Sequence, residues 1–157
     1  MLVIGKETIL NSFADFPNAE HRMKFVITVL GIDFINDSKG TNVNSAWFAL
    51  ESMQKPVVWI LGGVDKGNEY EMLNDLVKEK VKAIVCLGKD NKKIHEAFGG
   101  IVSDITDTLS ASEAVSVAYQ KGKKGDVVLL SPCCASFDLF KNYEDRGRQF
   151  KAAVKAL

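Results

Sequence analysis

The 157-residue sequence has no excess of charge of either sign and no long hydrophobic run. Lys and Arg together number 20, as do Asp and Glu, so the formal net charge is zero. This balance predicts no broad electrostatic surface for DNA, RNA or an anionic membrane. No apolar stretch approaches the roughly 18 residues that cross a bilayer, and residues 1–6 lack the basic start and apolar core of a signal peptide. We therefore predict a soluble, cytoplasmic protein without a nucleic-acid or membrane partner.

Cysteine and histidine are also scarce. The three cysteines, Cys86, Cys133 and Cys134, form no C-x-x-C motif, and His21 and His95 lie far apart in the sequence. Adjacent cysteines rarely form a disulfide with each other, so this pattern predicts neither a disulfide framework nor a zinc site. We expect reduced thiols packed as small core residues, and we assign no metal ligand to the chain.

Two familiar nucleotide-binding signatures are missing. The glycines of GGVDKG (62–67) do not have the spacing of G-x-G-x-x-G, and Gly5-Lys6 is followed by Glu7 rather than the Ser or Thr of a P-loop. The chain therefore lacks the loop that would allow it to hold and cleave ATP by itself.

Short apolar runs that alternate with helical patterns are present instead. The runs are VVWIL (57–61), AIVCL (83–87), a weaker pair at 101–102, and DVVLL (126–130). Helical spacing occurs at Val43, Ala46, Trp47 and Leu50; at Met72, Leu73, Leu76 and Val77; at Ala114, Val117 and Ala118; and at Phe150, Val154 and Leu157. Runs that are apolar at nearly every position are typical of parallel strands buried on both faces. The alternation predicts a doubly wound α/β sheet, mostly parallel, with helices on both faces.

The beginning of the chain has a different pattern. KFVITVLGIDFIND (24–37) predicts two strands that form a hairpin around Gly31. Before this hairpin, residues 6–14 have a helical pattern and residues 15–22 are typical of a connection. The first stretch is therefore a candidate linker from a preceding unit.

Three junctions between a predicted strand and a predicted helix are unusually polar or rich in glycine: NDSKGTN (36–42), GGVDKGNE (62–69) and SPCCASFD (131–138). Ligands of open α/β sheets bind at the carboxyl ends of the strands, and we expect all three junctions to meet there. Each also has a simpler explanation. Thr41 or Asn42 could cap a helix, the glycines could serve a tight turn, and Ser136 could be another cap.

The three junctions together favour a ligand, because capping does not require Lys39, Lys66 and several hydroxyls at one edge. Cations, hydroxyls and the amides of helix N-termini form a good site for a small dicarboxylate or for part of a nucleotide.

The same segments resemble the C-terminal domain of the Mur ligases. NDSKGTNVNS (36–45) is similar to the family pattern N-D-S-K-A-T-N, and LGGVDKG (61–67) lies in a second shared motif. LLSPCCASFDLFKNYEDRG (129–147) is similar to S-P-x-x-A-S-x-D-x-F-x-x-[FY]-x-x-R-G. Gly40 replaces a common Ala and Phe137 a common Leu, and neither change removes a donor. The resemblance extends from about Glu20 to the C-terminus.

The resemblance implies a Rossmann-like domain and an ATP-dependent, amide-forming ligase of peptidoglycan precursor synthesis. Family members have three domains, so residues 1–19 would be a linker or the tail of a central ATPase domain, and 20–157 the amino-acid-binding domain. The implied reaction joins D-glutamate to UDP-N-acetylmuramoyl-L-alanine through an acyl phosphate. The P-loop, the Mg²⁺ ligands and any catalytic base would lie on the missing domains, so the fragment alone is expected to be inactive.

Matching the motifs residue by residue implies two groups of binding residues. The residues implied for D-glutamate are Thr41, Lys66, Ser136, Phe137 and Tyr143. The residues implied for the nucleotide are Arg22, Asp37 and Lys39, with Asn36 and Asn42 as weaker candidates. No catalytic or metal-binding residue is assigned in this chain.

Two alternative functions remain at this stage. A non-catalytic dinucleotide-binding module would explain the strand, Gly-Gly and helix pattern of residues 57–70, although the glycine spacing does not favour it. A sibling Mur ligase or a folylpolyglutamate-type ligase would share the fold and add a different amino acid, although the segment NDSKGTN (36–42) does not favour this.

Overall fold

The computed structural model describes residues 20–157. The helix predicted over residues 6–14 and the linker predicted over residues 1–19 lie outside the described residues. Within the described part of the chain, no helix is both long enough and apolar enough to cross a membrane.

Strands and helices alternate along the described chain. The strands are β1 (Lys24–Val29), β2 (Ile32–Asn36), β3 (Val57–Leu61), β4 (Val81–Leu87), β5 (Ile105–Thr108) and β6 (Val127–Leu130). The α-helices are α1 (Val43–Glu51), α2 (Asn74–Lys80), α3 (Lys92–Phe98), α4 (Ala111–Lys121) and α5 (Tyr143–Lys155), and a short 3-10 helix, Tyr70–Leu73, precedes α2.

The strands form one sheet in the order β1-β2-β6-β3-β4-β5. Every neighbouring pair is parallel except β1 and β2, which are antiparallel. Leu30 and Gly31 join these two strands with φ values of 48° and 82°. Successive positive φ angles are typical of the tight turns that match the twist of a hairpin, and glycine adopts them at little cost. The predicted parallel sheet and the predicted hairpin are both confirmed.

The central strands are buried on both faces of the sheet. Along β3, Trp59 and Leu61 belong to one apolar cluster, whereas Val58 and Ile60 belong to another. Helices α1, α2 and α3 contribute to the first cluster, and α4 and α5 to the second. Each fully buried apolar side chain contributes about 1.5–3 kcal/mol relative to exposure. These clusters confirm the prediction of helices on both faces.

The prediction of a strand at residues 101–102 is wrong. The backbone N–H groups of Ile101 and Val102 both donate to the carbonyl of Phe98, at 2.9 Å, so these residues form a turn at the end of α3. The strand follows three residues later as β5, whose sequence ITDT is short and partly polar. The pair of apolar residues at 101–102 belongs to the packing of the helix end.

Two residues of the predicted helical stripes also differ from expectation. Met72 lies in the 3-10 helix and is half exposed, and Leu157 lies beyond the end of α5 and is exposed. Phe150 and Val154, in contrast, are buried as their spacing predicts.

Candidate functional site

The loops that follow β2, β6 and β3 meet at one edge of the sheet, because these strands are parallel neighbours. We call residues 37–42 loop A, residues 62–69 loop B and residues 131–142 loop C. They contain the three polar junctions noted in the sequence, and the predicted convergence of these junctions on one edge is confirmed.

Backbone hydrogen bonds join loop C to loop B. Val64 N donates to Ala135 O at 2.8 Å and Ala135 N donates back to Val64 O at 3.2 Å, which gives an isolated antiparallel bridge. Gly63 permits this approach, because its φ is 136° and an added Cβ would lie 2.1 Å from Ala135 O. Gly62 N also donates to Pro132 O at 3.0 Å. The two loops are therefore fixed to each other through their main chains.

Loop A is fixed to loop C in the same way. Cys133 N donates to Gly40 O at 3.0 Å, and Asp37 N donates at 2.8 Å to the carbonyl of Leu130, the last residue of β6 before loop C. Thr41 follows Gly40 directly and is half-buried. Its neighbour Asn42 is the N-cap of α1, since the side-chain oxygen of Asn42 accepts from Ser45 N at 2.8 Å. Asn42 therefore caps the helix.

Arg146 of α5 joins loops A and C through its guanidinium group. Nη2 donates to Ser38 O at 2.8 Å, Nε donates to Ser38 Oγ at 3.0 Å, and Nη1 donates to Cys134 O at 3.1 Å. Ser38 Oγ in turn donates to Tyr143 O at 2.6 Å. Arg146 is 1% exposed, and its burial lowers the pKa of the guanidinium to about 10. The sequence motif contains this arginine, but only the fold reveals its role in positioning the loops.

Asp37 faces the interior of the domain. Its Oδ1 accepts from Met23 N at 3.1 Å and its Oδ2 accepts from Ser131 Oγ at 2.9 Å. Burial raises the pKa of Asp37 to about 7, although these hydrogen bonds and the charges of Arg22 and Arg146 act in the opposite direction. Both carboxyl oxygens therefore already have donors within the domain.

Asn36 is fully buried and also has partners within the domain. Its side-chain oxygen accepts from Ser38 N at 3.1 Å, its Nδ2 donates to Gly147 O at 3.3 Å, and the same Nδ2 lies 2.9 Å from Nδ1 of His21. Burial lowers the pKa of His21, although the nearby Glu20 acts in the opposite direction. The side chains of Asn36 and Asp37 therefore hold loop A in place through hydrogen bonds to the interior of the domain.

Three cationic side chains at this edge, Arg22, Lys39 and Lys66, have no acidic partner within 4 Å in the described chain. Lys66 lies two residues beyond Val64 of the bridge and is exposed. Lys39 Nζ lies 5.8 Å from the ring centroid of Tyr143, and Arg22 is half-buried. Within residues 20–157, none of these three cations lies within 4 Å of a carboxylate oxygen. The edge therefore presents positive charge that is not neutralised by an ion pair.

Loop C supplies the remaining candidate residues. Ser136 follows Ala135 of the bridge and is 2% exposed, whereas Phe137 is 66% exposed. Ser136 does not cap α5, because the cap is Asn142, whose side-chain oxygen accepts from Asp145 N at 2.8 Å. The simpler explanation considered for Ser136 in the sequence therefore does not hold for α5.

A cleft with a volume of about 340 Å³ lies beside loop B and was not expected from the sequence. Its walls include Val64, Tyr70, Lys89, Asp90 and Cys134. Loop C contributes Cys134 to the lining of this cleft only because loops B and C are paired, and no local sequence motif specifies that pairing.

Asp65 also lines this cleft, and its side chain closes a turn in loop B. Its Oδ1 accepts from Gly67 N at 2.8 Å and from Asn68 N at 2.9 Å, and its Oδ2 accepts from the Tyr70 hydroxyl at 3.1 Å. Burial alone would raise the pKa of Asp65, but these hydrogen bonds outweigh it and hold the pKa below its ordinary value. Lys93 approaches the same carboxylate at 3.8 Å.

The cysteines are buried thiols. Burial raises the pKa of Cys86, Cys133 and Cys134, so each remains protonated near neutral pH. A thiol without thiolate character is a poor nucleophile. Their interpretation as small, packed residues is confirmed by their burial.

Comparison with known proteins places these features in a family. A protein named UDP-N-acetylmuramoylalanine–D-glutamate ligase, from Christiangramia forsetii, is 60% identical over 157 residues, which is all of this chain and 35% of that protein. The chain thus spans about a third of the length of the curated relatives it matches.

Solved structures share the fold at low sequence identity. A murein peptide ligase from Psychrobacter arcticus has a TM-score of 0.60 and 12% identity over 88% of this chain and 30% of that one. The MurF ligase from Thermotoga maritima in complex with ADP has a TM-score of 0.55 and 16% identity, and the match covers 91% of this chain and 33% of that one. The family model of the Mur ligase glutamate ligase domain matches residues 21–134, which is more than half of the sequence. The chain therefore belongs to the Mur ligase family.

Proposed function

We propose that residues 20–157 are the C-terminal, amino-acid-binding domain of an ATP-dependent ligase, and that residues 1–19 connect it to a central ATPase domain. The ligase would join D-glutamate to UDP-N-acetylmuramoyl-L-alanine in peptidoglycan precursor synthesis. The observation that carries this proposal is the edge formed by loops A, B and C, where Arg22, Lys39 and Lys66 lack acidic partners within 4 Å in the described chain. The 60% identity to a protein named as such a ligase supports the choice of substrate.

The residue chemistry suits a dianionic amino acid. D-glutamate carries two carboxylates, which favour one cation together with hydroxyl and amide donors. We assign these roles to Lys66, Thr41 and Ser136, with Phe137 and Tyr143 lining the site. Thr41 and Ser136 each follow a residue that is hydrogen-bonded to another loop, and Lys66 lies two residues beyond such a residue, so their backbones are held in place. Ordered donors lose less conformational entropy when a ligand binds.

The nucleotide would approach the same edge from the central domain. Arg22 and Lys39 are available to phosphate groups, because they have no acidic partner within the described residues. The family pattern also assigns Asp37 to the nucleotide. Since both oxygens of Asp37 accept hydrogen bonds inside the domain, we propose that this side chain positions loop A instead of contacting ribose.

The described residues do not fit Mg²⁺. This ion prefers oxygen ligands, usually carboxylates together with phosphate and water. The group of three possible metal ligands found among residues 20–157 contains sulfur and nitrogen donors, and Asp37 and Asp65 already accept hydrogen bonds from the domain. We therefore assign the Mg²⁺ of an ATP-dependent reaction to the central domain and attribute no step to it here.

The chemistry explains why a separate domain is useful. A carboxylate is a poor electrophile, so the substrate carboxylate is first phosphorylated by ATP to an acyl phosphate. The amine of D-glutamate then attacks, and the tetrahedral intermediate collapses to an amide with release of phosphate. Water must be excluded while the amine is aligned, because acyl phosphates hydrolyse readily. A domain that carries the amino acid and closes over the ATP site would meet both requirements.

The decisive test uses Lys66→Ala in the full-length ligase. Removing a charge-assisted contact of about 1.5–3 kcal/mol should lower kcat/KM for D-glutamate by roughly 10- to 150-fold. Lys78→Ala is the matched control, because Lys78 is an exposed lysine of α2. Unchanged kinetics for D-glutamate in the Lys66 variant would contradict the assignment.

Assays on the 157-residue chain distinguish the alternative functions. We expect no amide formation by this chain alone, because the ATP-cleaving loop is missing. Micromolar binding of NAD or NADP would instead support a dinucleotide-binding module. A full-length ligase that prefers another amino acid over D-glutamate would indicate a sibling activity.

We also propose that the ligase acts in the cytoplasm. The three cysteines are free in the described chain, which fits a reducing compartment. ATP, the proposed co-substrate, is available there.

A further inference from the structure

Three side chains with metal-binding atoms meet on the flank of the sheet formed by β4, β5 and α3. Cys86 of β4 and Asp107 of β5 are register partners in the parallel pair, so their side chains share one face of the sheet. His95 of α3 reaches the same place, with Nε2 2.8 Å from Asp107 Oδ1. The sulfur, the ring nitrogen and a carboxylate oxygen all lie within 4.8 Å of one another.

We propose that Cys86, His95 and Asp107 bind a single Zn²⁺ ion or a similar soft divalent cation. Thiolate, imidazole and carboxylate are the three ligand types that zinc uses in proteins. Ligands at 2.0–2.3 Å around a tetrahedral ion lie roughly 3–4 Å apart, so the observed group needs only small side-chain movements. The site goes beyond the proposed ligase function and does not depend on it.

Burial and exposure are arranged as a three-ligand site requires. Cys86 is fully buried, which holds its sulfur in one position. The side chains of His95 and Asp107 are 43% and 59% exposed, so an ion has a path from solvent, and water can occupy a fourth position. Thr108 Oγ1 donates to Cys86 O at 2.8 Å and fixes the strand at this point.

The binding step is balanced by the loss of one proton. The Cys86 thiol releases its proton to solvent as the sulfur–metal bond forms, and the hydrogen bond between His95 and Asp107 is replaced by two bonds to the ion. Asp107 already attracts the thiol proton and contributes, after burial, to the raised pKa of Cys86. The ion replaces a set of hydrogen bonds among its own ligands.

The bound ion would join the edge strand β5 more firmly to the rest of the sheet. Strand β5 has four residues and, in the described chain, pairs only with β4. An ion held by β4, β5 and α3 would join three elements that otherwise share one short ladder, apolar packing and the two side-chain hydrogen bonds of His95 and Thr108. Its role is therefore structural.

Titration with Co²⁺ tests the proposal on the tag-free 157-residue chain under reducing conditions. We expect the thiolate-to-cobalt charge-transfer band and the visible bands of tetrahedral Co²⁺ at one equivalent, and their loss when Zn²⁺ is added. Cys86→Ala, His95→Gln and Asp107→Asn should each weaken binding by about 100-fold or more, because even changes outside the ligand shell cost 10- to 100-fold. Asp104→Asn is the matched control, since it is an exposed carboxylate three residues before Asp107.

Two outcomes of this titration would overturn the site: no cobalt bands in the wild-type chain, or bands that survive in His95→Gln. His95 is partly exposed, so this variant keeps the core intact and remains informative even if Cys86→Ala fails to fold. Hydrogen exchange gives an independent measurement. Zn²⁺ should slow exchange in β5 of the wild-type chain and leave that of His95→Gln unchanged, whereas equal protection in both would also contradict the proposal.

Discussion

The two ends of the same parallel strands differ in how their charged side chains are paired. At the amino ends, Lys82 pairs with Asp126 at 2.7 Å and Lys55 pairs with Asp33 at 2.8 Å. At the carboxyl ends, Lys39 and Lys66 lie within 4 Å of no carboxylate oxygen in the described chain. The paired charges at the amino ends contribute to the stability of the fold. Cations left without an acidic partner at the opposite end are available to an anionic ligand.

Buried charged groups at the carboxyl ends follow a third pattern. Arg146 donates to carbonyl and hydroxyl oxygens, and Asp37 accepts from an amide and a hydroxyl. Neither has an ion-pair partner within 4 Å among residues 20–157. Neutral dipoles therefore hold the loops without neutralising the positive potential of the edge.

Arg146→Ala is the strongest test of this contrast. Truncation leaves two carbonyls and the Ser38 hydroxyl without their donor and opens a cavity, so the free energy of unfolding should fall by about 3–5 kcal/mol. Urea denaturation measures the change. Arg148→Ala, on the same helix but exposed, should stay within about 0.5 kcal/mol of wild type. A similarly small loss for Arg146→Ala would show that the guanidinium does not hold the loops.

Asp37→Asn tests the buried carboxyl through the pH dependence of stability. The pKa of Asp37 is raised from 3.8 to about 7, so the contribution of this group to stability is complete below pH 3.8 and is lost as the pH rises through 7. The variant cannot ionise. Its stability relative to wild type should therefore increase across this window, by on the order of 2–4 kcal/mol, and then level off.

Asp145→Asn is the control of opposite sign. Hydrogen bonds from Lys141 N and the Gln149 side chain lower the pKa of Asp145, so its contribution to stability is present above the unfolded pKa and is lost as the pH falls.

A stability difference between Asp37→Asn and wild type that stays constant from about pH 4 to about pH 8 would contradict the assignment of Asp37 as a buried group that binds a proton in this range.

Lys82→Ala tests the paired end of the strands. Its partner Asp126 has a side chain that is 8% exposed and also accepts from Lys123 N at 2.8 Å. We expect a loss of about 1 kcal/mol in the free energy of unfolding, which shrinks at high salt as the ion pair is screened. Equal losses at low and high salt would show that packing of the lysine stem, and not charge, stabilises this end.

Lys66→Ala should have the smallest effect on the stability of the 157-residue chain, within about 0.5 kcal/mol. Lys66 is exposed and forms no ion pair within the described residues. Thermal and urea unfolding of this variant and of Lys82→Ala, measured side by side, give the comparison directly. A loss of more than about 1 kcal/mol in the free energy of unfolding would mean that Lys66 stabilises the fold, and would contradict its assignment as a side chain available to a ligand.

Periodicity was enough to predict most of the sheet. The runs that became β3, β4 and β6 are apolar at almost every position, because central parallel strands are covered on both faces. The edge strand β5 has no such pattern, since ITDT needs to be apolar on one face at most. The more apolar pair at 101–102 was therefore misassigned.

The candidate site was predictable only at the level of loops. Polar junctions and the rule for parallel sheets were sufficient to bring loops A, B and C together. The inward orientation of Asp37 and the burial of Arg146 depend on contacts with partners distant in sequence, such as Ser131 and Ser38. The approach of Cys86 to His95 and Asp107 depends on strand register, which no short motif contains.

The bridge between Val64 and Ala135 has a consequence for the thermodynamics of recognition. Because its two hydrogen bonds already exist in the domain by itself, a ligand that settles beside them does not have to fold these segments. Calorimetry of amino-acid binding should accordingly show a small heat-capacity change, comparable with the apolar area of a single amino acid and far below that of coupled folding. Selectivity at this edge then depends on the identity of the side chains that project from the hydrogen-bonded backbone of loops B and C.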